Sequence, residues 1–112
     1  MSGLQSVQQY STTRRFHRYV VDHPVSALLQ WEGSPYLTLA ARCRVMSEGG
    51  MGIVLPQQLN VGQVVFLELA NALRVYGAVR NLHGFTHGFE FVLLRDAQRS
   101  SIRRLCGSWS AL

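Results

Sequence analysis

The sequence contains no lysine and few acidic residues, and both shortages bear on function. All eleven of its basic residues are arginines, against six Asp and Glu, so the formal net charge is +5. The carboxylates are scattered along the chain, which argues against acid–base catalysis by a carboxylate pair. A GC-rich genome would also favour arginine, but its planar fork suits phosphate and guanine better than lysine does. The charge balance is therefore compatible with an anionic ligand.

Other absences narrow the class of protein. Two cysteines, Cys43 and Cys106, are too few for a disulfide framework or a zinc site, so we expect reduced thiols in the core. No apolar run reaches the ~18–20 residues of a membrane span, and no signal segment opens the chain. These features predict a soluble, cytoplasmic protein.

No arrangement of residues supports catalysis. The sequence has neither a Ser/His/Asp motif in a recognisable frame nor a phosphate loop of the GxxxxGK[ST] type. His83 and His87 flank a Gly-Phe-Thr segment, which is more typical of a polar turn at residues 83–87 than of metal ligation. We therefore expect no enzymatic activity, no metal and no cofactor.

Alternation of apolar and polar residues predicts strands over most of the chain. Residues 1–12 are polar and without periodicity, so we predict a flexible N-terminal arm there and one domain over residues 13–112. The first strand is predicted to break at Asp22-His23-Pro24. The predicted strands cover residues 20–21, 25–31, 36–46, 51–55, 63–70, 72–82 and 88–94.

The periodicity changes after the last strand. Asp96 is a plausible N-cap, and Gly107 is a candidate for an early helix end. One helical face is predicted to carry Ile102, Leu105, Cys106 and Trp109. About six short strands followed by one helix predict a mainly β fold, a six-stranded antiparallel barrel with a C-terminal α-helix.

Two short motifs contain the main candidate ligand-binding residues. Arg14, Arg15 and Arg18 place three guanidinium groups within five residues, just before the first strand. Such a run is ordinarily a solvated basic stretch, but Arg14 and Arg18 can project together and grip a compact dianion. Further along, Ser47 begins a Ser-Glu-Gly-Gly turn between two strands. A serine hydroxyl there can donate to a phosphate oxygen, although a plain glycine turn is the commoner explanation.

Together the two motifs resemble those of the PilZ domain family, bacterial receptors for cyclic di-GMP. The family carries RxxxR before its first strand and [D/N]xSxxG between the second and third. Residues 14–18 fit the first motif, and residues 45–50 fit the second except that Val45 replaces Asp or Asn. Valine can neither donate nor accept a hydrogen bond, which predicts weakened binding.

The resemblance implies a ligand site and a role. It assigns cyclic di-GMP contacts to the following residues: Arg14, Arg15, Arg18, Ser47, Gly49 and Gly50, with Arg80 and Tyr76 as further candidates. It also implies signalling to an unidentified effector protein, in motility or exopolysaccharide regulation, by ordering of the N-terminal arm. Two alternatives stay open: a degenerate PilZ-like interaction module that binds no nucleotide, and a small basic barrel that binds nucleic acid.

Overall fold

Six antiparallel strands close into a barrel, and one helix follows them. The computed structural model describes residues 16–29, 37–69 and 73–110, with the side chains of 109 and 110 left out, so the predicted arm lies outside the described residues. Around the barrel the strands run β1-β2-β3-β6-β5-β4, which confirms the predicted fold class. The elements are β1 (Tyr19–Leu29), β2 (Leu37–Met46), β3 (Gly50–Val54), β4 (Val64–Leu69), β5 (Leu73–His83), β6 (Thr86–Val92) and α1 (Asp96–Ser110).

The predicted break in the first strand is wrong, because β1 runs through Pro24 without interruption. The pairing of β1 with β2 shifts register between Val20 and His23, so the irregular sequence makes a bulge instead of an end. On its other side β1 pairs with β4 only at residues 26–28. Pro24 therefore lies outside the part of β1 that is paired on both sides, where its missing N–H matters least.

The β5–β6 turn is tighter than predicted. Only Gly84 and Phe85 separate the two strands, and Gly84 takes a φ of 62° that glycine adopts without strain. His87 is not in a polar turn but fully buried within β6. The Leu59 N–H donates to its Nε2 at 3.0 Å, so the ring carries its proton on Nδ1, which donates to the Phe85 carbonyl at 2.9 Å. His87 thus has a structural role that periodicity did not indicate.

The core fills the barrel interior and continues under the helix. Alternate residues of each strand point inward, as in Val25, Ala27 and Leu29 of β1. Helix α1 adds Ile102 and Cys106 to the same cluster. The predicted early end at Gly107 is wrong, because α1 continues to Ser110. A glycine lowers helix stability by about 1 kcal/mol relative to alanine, which does not by itself end a helix whose apolar face is buried.

Both cysteines are reduced and buried, as predicted. Burial raises the pKa of the Cys43 thiol, and of the Cys106 thiol, from 9.0 to about 11. In the unfolded chain the thiols ionise at lower pH. Their contribution to stability is therefore complete below about pH 9 and is lost as the pH rises through about 11.

These thiols are expected to resist modification at pH 8. A pKa about two units above the ordinary value leaves roughly a hundredth of the thiolate, and only the thiolate attacks a disulfide reagent. We expect reaction with a chromogenic disulfide reagent to be about a hundredfold slower in the native protein than in guanidinium chloride. Equal rates in the two solvents would show that the thiols are accessible and normally acidic.

Candidate functional site

The turn between β2 and β3 is organised by the side chain of Ser47. The Ser47 N–H donates to the Gly50 carbonyl at 2.9 Å, which closes the turn. Its Oγ accepts hydrogen bonds from the Gly49 and Gly50 N–H groups at 3.1 and 3.2 Å. Because these bonds use the oxygen as acceptor, the hydroxyl hydrogen can still be donated to a ligand. The half-buried turn therefore holds one oriented donor at the barrel end.

The two adjacent glycines have different surroundings. A Cβ placed on Gly49 would lie 3.0 Å from Cδ2 of Phe16, so the aromatic ring lies directly against this glycine. A Cβ on Gly50 would instead overlap the backbone carbonyl of Phe89. Gly50 is paired with Glu90 in the β3–β6 ladder, and the ladder leaves no room for a side chain. The first glycine thus faces the arginine motif, and the second permits strand packing.

Phe16 brings the described part of the arginine motif, residues 16–18, to the turn. It is the central residue of Arg14–Arg18, and its contact with Gly49 joins two motifs that are about thirty residues apart in the sequence. Arg18 is exposed and immediately precedes Tyr19, whose register partner Met46 immediately precedes Ser47. Arg18 and Ser47 therefore occupy adjacent positions at one end of the barrel. Arg14 and Arg15 lie outside the described residues.

Val45 occupies the outer surface beside this turn. The β2–β3 register shifts between Cys43 and Val45, and Met46 returns to the core, so Val45 is half-buried on the outside. A Cβ on Gly52 of the neighbouring strand would lie 3.3 Å from the Val45 Cβ. The position that departs from the motif is therefore at the rim of the candidate site, where a polar side chain would meet solvent or ligand.

The turn also contacts the helix, a connection that sequence patterns did not indicate. Arg103 Nε of α1 lies 3.5 Å from Glu48 Oε1, and both side chains are well exposed. An exposed pair of this kind contributes little stability, about 0–1 kcal/mol. Its significance is positional, because it links Glu48, the second residue of the turn, to the C-terminal helix.

The two further candidates lie at different distances from the turn. Arg80 Nε donates to Glu90 Oε1 at 2.6 Å. Glu90 lies on β6 and pairs with Gly50, the last residue of the turn, and Arg80 lies on the next strand, β5. Tyr76 lies further along β5, where its ring meets that of Phe66 edge-on with centroids 5.1 Å apart. The structure therefore places Arg80 near the candidate site and Tyr76 on the outer barrel wall.

The described residues carry neither a cluster of metal-ligating side chains nor a helix that could span a membrane. No group of three His, Cys, Asp or Glu residues there is arranged to hold a metal ion. Within the same ranges, no helix has the length and apolar character needed to cross a membrane.

Comparison with solved structures finds the same fold in several proteins. The PilZ domain of CeSA from a cellulose-synthesizing bacterium has a TM-score of 0.64 and 19% identity, covering 84% of this chain and 98% of that one. The Bacillus subtilis inhibitor of motility (MotI/DgrA) has a TM-score of 0.70 and 14% identity, over 88% of this chain and 51% of its own. Escherichia coli YcgR in complex with c-di-GMP has a TM-score of 0.66 and 18% identity, over 88% and 46%. The chain thus spans about half the length of MotI and YcgR.

The comparison of whole sequences with curated proteins gives no match. The sequence model of the PilZ domain, in contrast, matches residues 12–108. That match covers both motifs, all six strands and most of α1. A match of this extent decides the question that a fold shared at low identity leaves open: the chain belongs to the PilZ domain family.

Proposed function

We propose that this PilZ domain binds cyclic di-GMP at the barrel end formed by the arginine motif and the residue 47–50 turn. The contact of Phe16 with Gly49 supports the proposal, because Phe16 is the central residue of the arginine motif and Gly49 belongs to the Ser47 turn. The similar structure of YcgR was determined in complex with c-di-GMP, which identifies the ligand to test.

The site matches the chemistry of this ligand. Cyclic di-GMP carries two phosphodiesters and two guanines, and guanine O6 and N7 form an acceptor edge that arginine meets with two N–H groups. Arg18 is exposed at the barrel end, and none of the ion pairs found in the described residues involves it. Arg14, with Arg15 as an accessory, completes the set of cations.

The turn supplies the complementary groups. The Ser47 hydroxyl, with its oxygen held by two backbone N–H groups, donates its hydrogen to phosphate or base. Gly49 leaves room for the Phe16 ring beside the turn, and Gly50 leaves room for the β6 backbone. Arg80 is a further candidate once it leaves Glu90, whereas we leave Tyr76 out of the site because it packs against Phe66 two strands from the turn.

In this proposal, the segment that precedes β1 transmits the effect of ligand binding to an effector protein. Ligand held by Arg14 and Arg18 fixes that segment against the barrel end, which creates a surface for an effector protein. Ordering a residue costs about 1–2 kcal/mol, so a micromolar ligand, worth about 8 kcal/mol, can fix only a few residues. The relay is therefore local to the arginine motif.

Calorimetric titration of the purified protein with cyclic di-GMP tests the proposal. We expect Arg18→Ala to weaken binding about ten- to hundredfold, because hydrogen bonds from a charged group contribute about 1.5–3 kcal/mol. Arg104→Ala is the matched control, since it removes an exposed arginine from α1 and is expected to leave the affinity unchanged.

Other outcomes would point elsewhere. No binding at high micromolar ligand would contradict the proposal and favour the interaction module without nucleotide, which Val45 already permits. Equal losses in Arg18→Ala and Arg104→Ala would indicate nonspecific attraction to a basic protein. Binding of DNA or RNA with steep salt dependence, and none of cyclic di-GMP, would favour the nucleic-acid alternative.

A further inference from the structure

An apolar band crosses the outside of the barrel. Leu28 of β1 pairs with Phe66 of β4, Phe66 with Tyr76 of β5, and Tyr76 with Val92 of β6. Each of the four alternates with buried neighbours along its strand, so all four side chains face outward. We call these four residues the apolar band; they form one row across four adjacent strands.

The band is partly exposed to solvent, because Leu28, Phe66 and Val92 are half-buried and Tyr76 is exposed. Tyr76 is 44% exposed at its centre, and Val64, in the next row of β4, is 52% exposed. Phe66 and Tyr76 hold each other edge-on, which fixes the aromatic centre of the band in one arrangement. A contiguous, rigid apolar surface of this kind is typical of a protein–protein contact and differs from isolated exposed residues.

The charges beside the band are neutralised within the chain. On one side Arg74 Nε lies 2.9 Å from Glu68 Oε2, and on the other Arg80 Nε lies 2.6 Å from Glu90 Oε1. Among the described residues, five arginines take no part in an ion pair. Arg18 precedes β1, Arg44 lies in β2, Arg95 lies between β6 and α1, and Arg99 and Arg104 lie in α1. The outer wall of β4 and β5 is thus a neutral face on a protein of net charge +5.

We propose that the apolar band is the interface between two copies of this chain in solution. Two molecules of charge +5 repel each other, and repulsion is smallest where paired charges flank an apolar surface. In a dimer with two-fold symmetry, the apolar band of one copy packs against the apolar band of the other. Such symmetric dimers are the commonest oligomers. Tyr76, central and half-exposed, is the anchor of the contact.

The ion pairs beside the apolar band argue against nucleic acid or a membrane as its binding partner. Nucleic acid and anionic membranes select surfaces with free cations. Arg74 and Arg80, which flank the band, are paired, and no arginine without an ion pair lies on β4 or β5. The interface does not depend on cyclic di-GMP, because its residues lie outside the proposed nucleotide site.

Analytical ultracentrifugation of the full chain without nucleotide tests the interface. We expect a dimer in the micromolar range and at least a hundredfold weaker association for Tyr76→Glu, since an unpaired carboxylate would be buried at the centre of the contact. Phe85→Glu is the matched control: it places the same charge on another exposed aromatic, at the β5–β6 turn, and we expect it to remain dimeric. Tyr76→Phe is expected to dimerise like the parent.

A monomer at several hundred micromolar, an unaffected Tyr76→Glu dimer, or equal dissociation of Phe85→Glu would each overturn the inference. The unsubstituted protein gives a second test that does not depend on how a variant folds. Its amide signals at the apolar band are expected to shift with protein concentration, and signals that stay constant there would contradict the interface. Failure of nucleotide binding in the earlier titration would leave both tests unaffected.

Discussion

Replacing Gly50 with alanine is expected to destabilise the barrel by about 3 kcal/mol. The new methyl group would overlap the Phe89 carbonyl, which is backbone and cannot rotate away. Relief requires the β3–β6 ladder to separate where Gly50 pairs with Glu90, at the edge of the candidate site. For a domain of this size we expect the melting temperature to fall by about 10–20 °C in calorimetry or circular dichroism.

Gly49→Ala is the matched comparison one residue earlier. Its methyl group would meet the ring of Phe16, an aromatic side chain that is able to move. We expect a loss of stability below about 1 kcal/mol, together with weaker binding of cyclic di-GMP as the arginine segment shifts. Equal stabilities of the two variants would contradict the assignment of Gly50 to strand packing. An unchanged affinity in Gly49→Ala would contradict the role of the Phe16 contact.

The contrast between these glycines shows what local sequence can and cannot predict. Apart from the break it placed in β1, period-two alternation predicted the strands to within a few residues, and the change of period predicted the helix start at Asp96. The role of Gly50 depends on β6 crossing beside β3, about forty residues later in the chain. Nothing near Gly50 in the sequence indicates that approach, because it arises only when the barrel closes.

Two further features escaped prediction for the same reason. The sequence pattern favours a turn position for His87, but its ring accepts a hydrogen bond from the Leu59 N–H, 28 residues away. Glu48 and Arg103 meet because α1 packs at the end of the barrel where the β2–β3 turn emerges. The resemblance to a family supplied the ligand-site residues, whereas the contacts that join them to the helix and to β6 required the structure.

Val45→Asn is expected to tighten binding of cyclic di-GMP by about two- to hundredfold. The change restores the polar residue that the family motif carries, and one added hydrogen bond to a polar or charged partner is worth about 0.5–3 kcal/mol. The position can accommodate asparagine, because Val45 is half-buried on the outer wall, beside Gly52 and two residues before Ser47. Calorimetric titration of both proteins measures the gain.

Val54→Asn is the control for this substitution. Val54 is another half-buried valine, on β3, and its register partners are Arg42 and Thr86, so it lies away from the turn. Stronger binding in Val45→Asn alone would show that the arginines and Ser47 form a working site that lacks one contact. Equal affinities in the parent and Val45→Asn would mean that the ligand does not reach this rim. Since Val45 adjoins the turn on the barrel surface, that result would also count against a hydrogen bond from the Ser47 hydroxyl to a phosphate of the ligand.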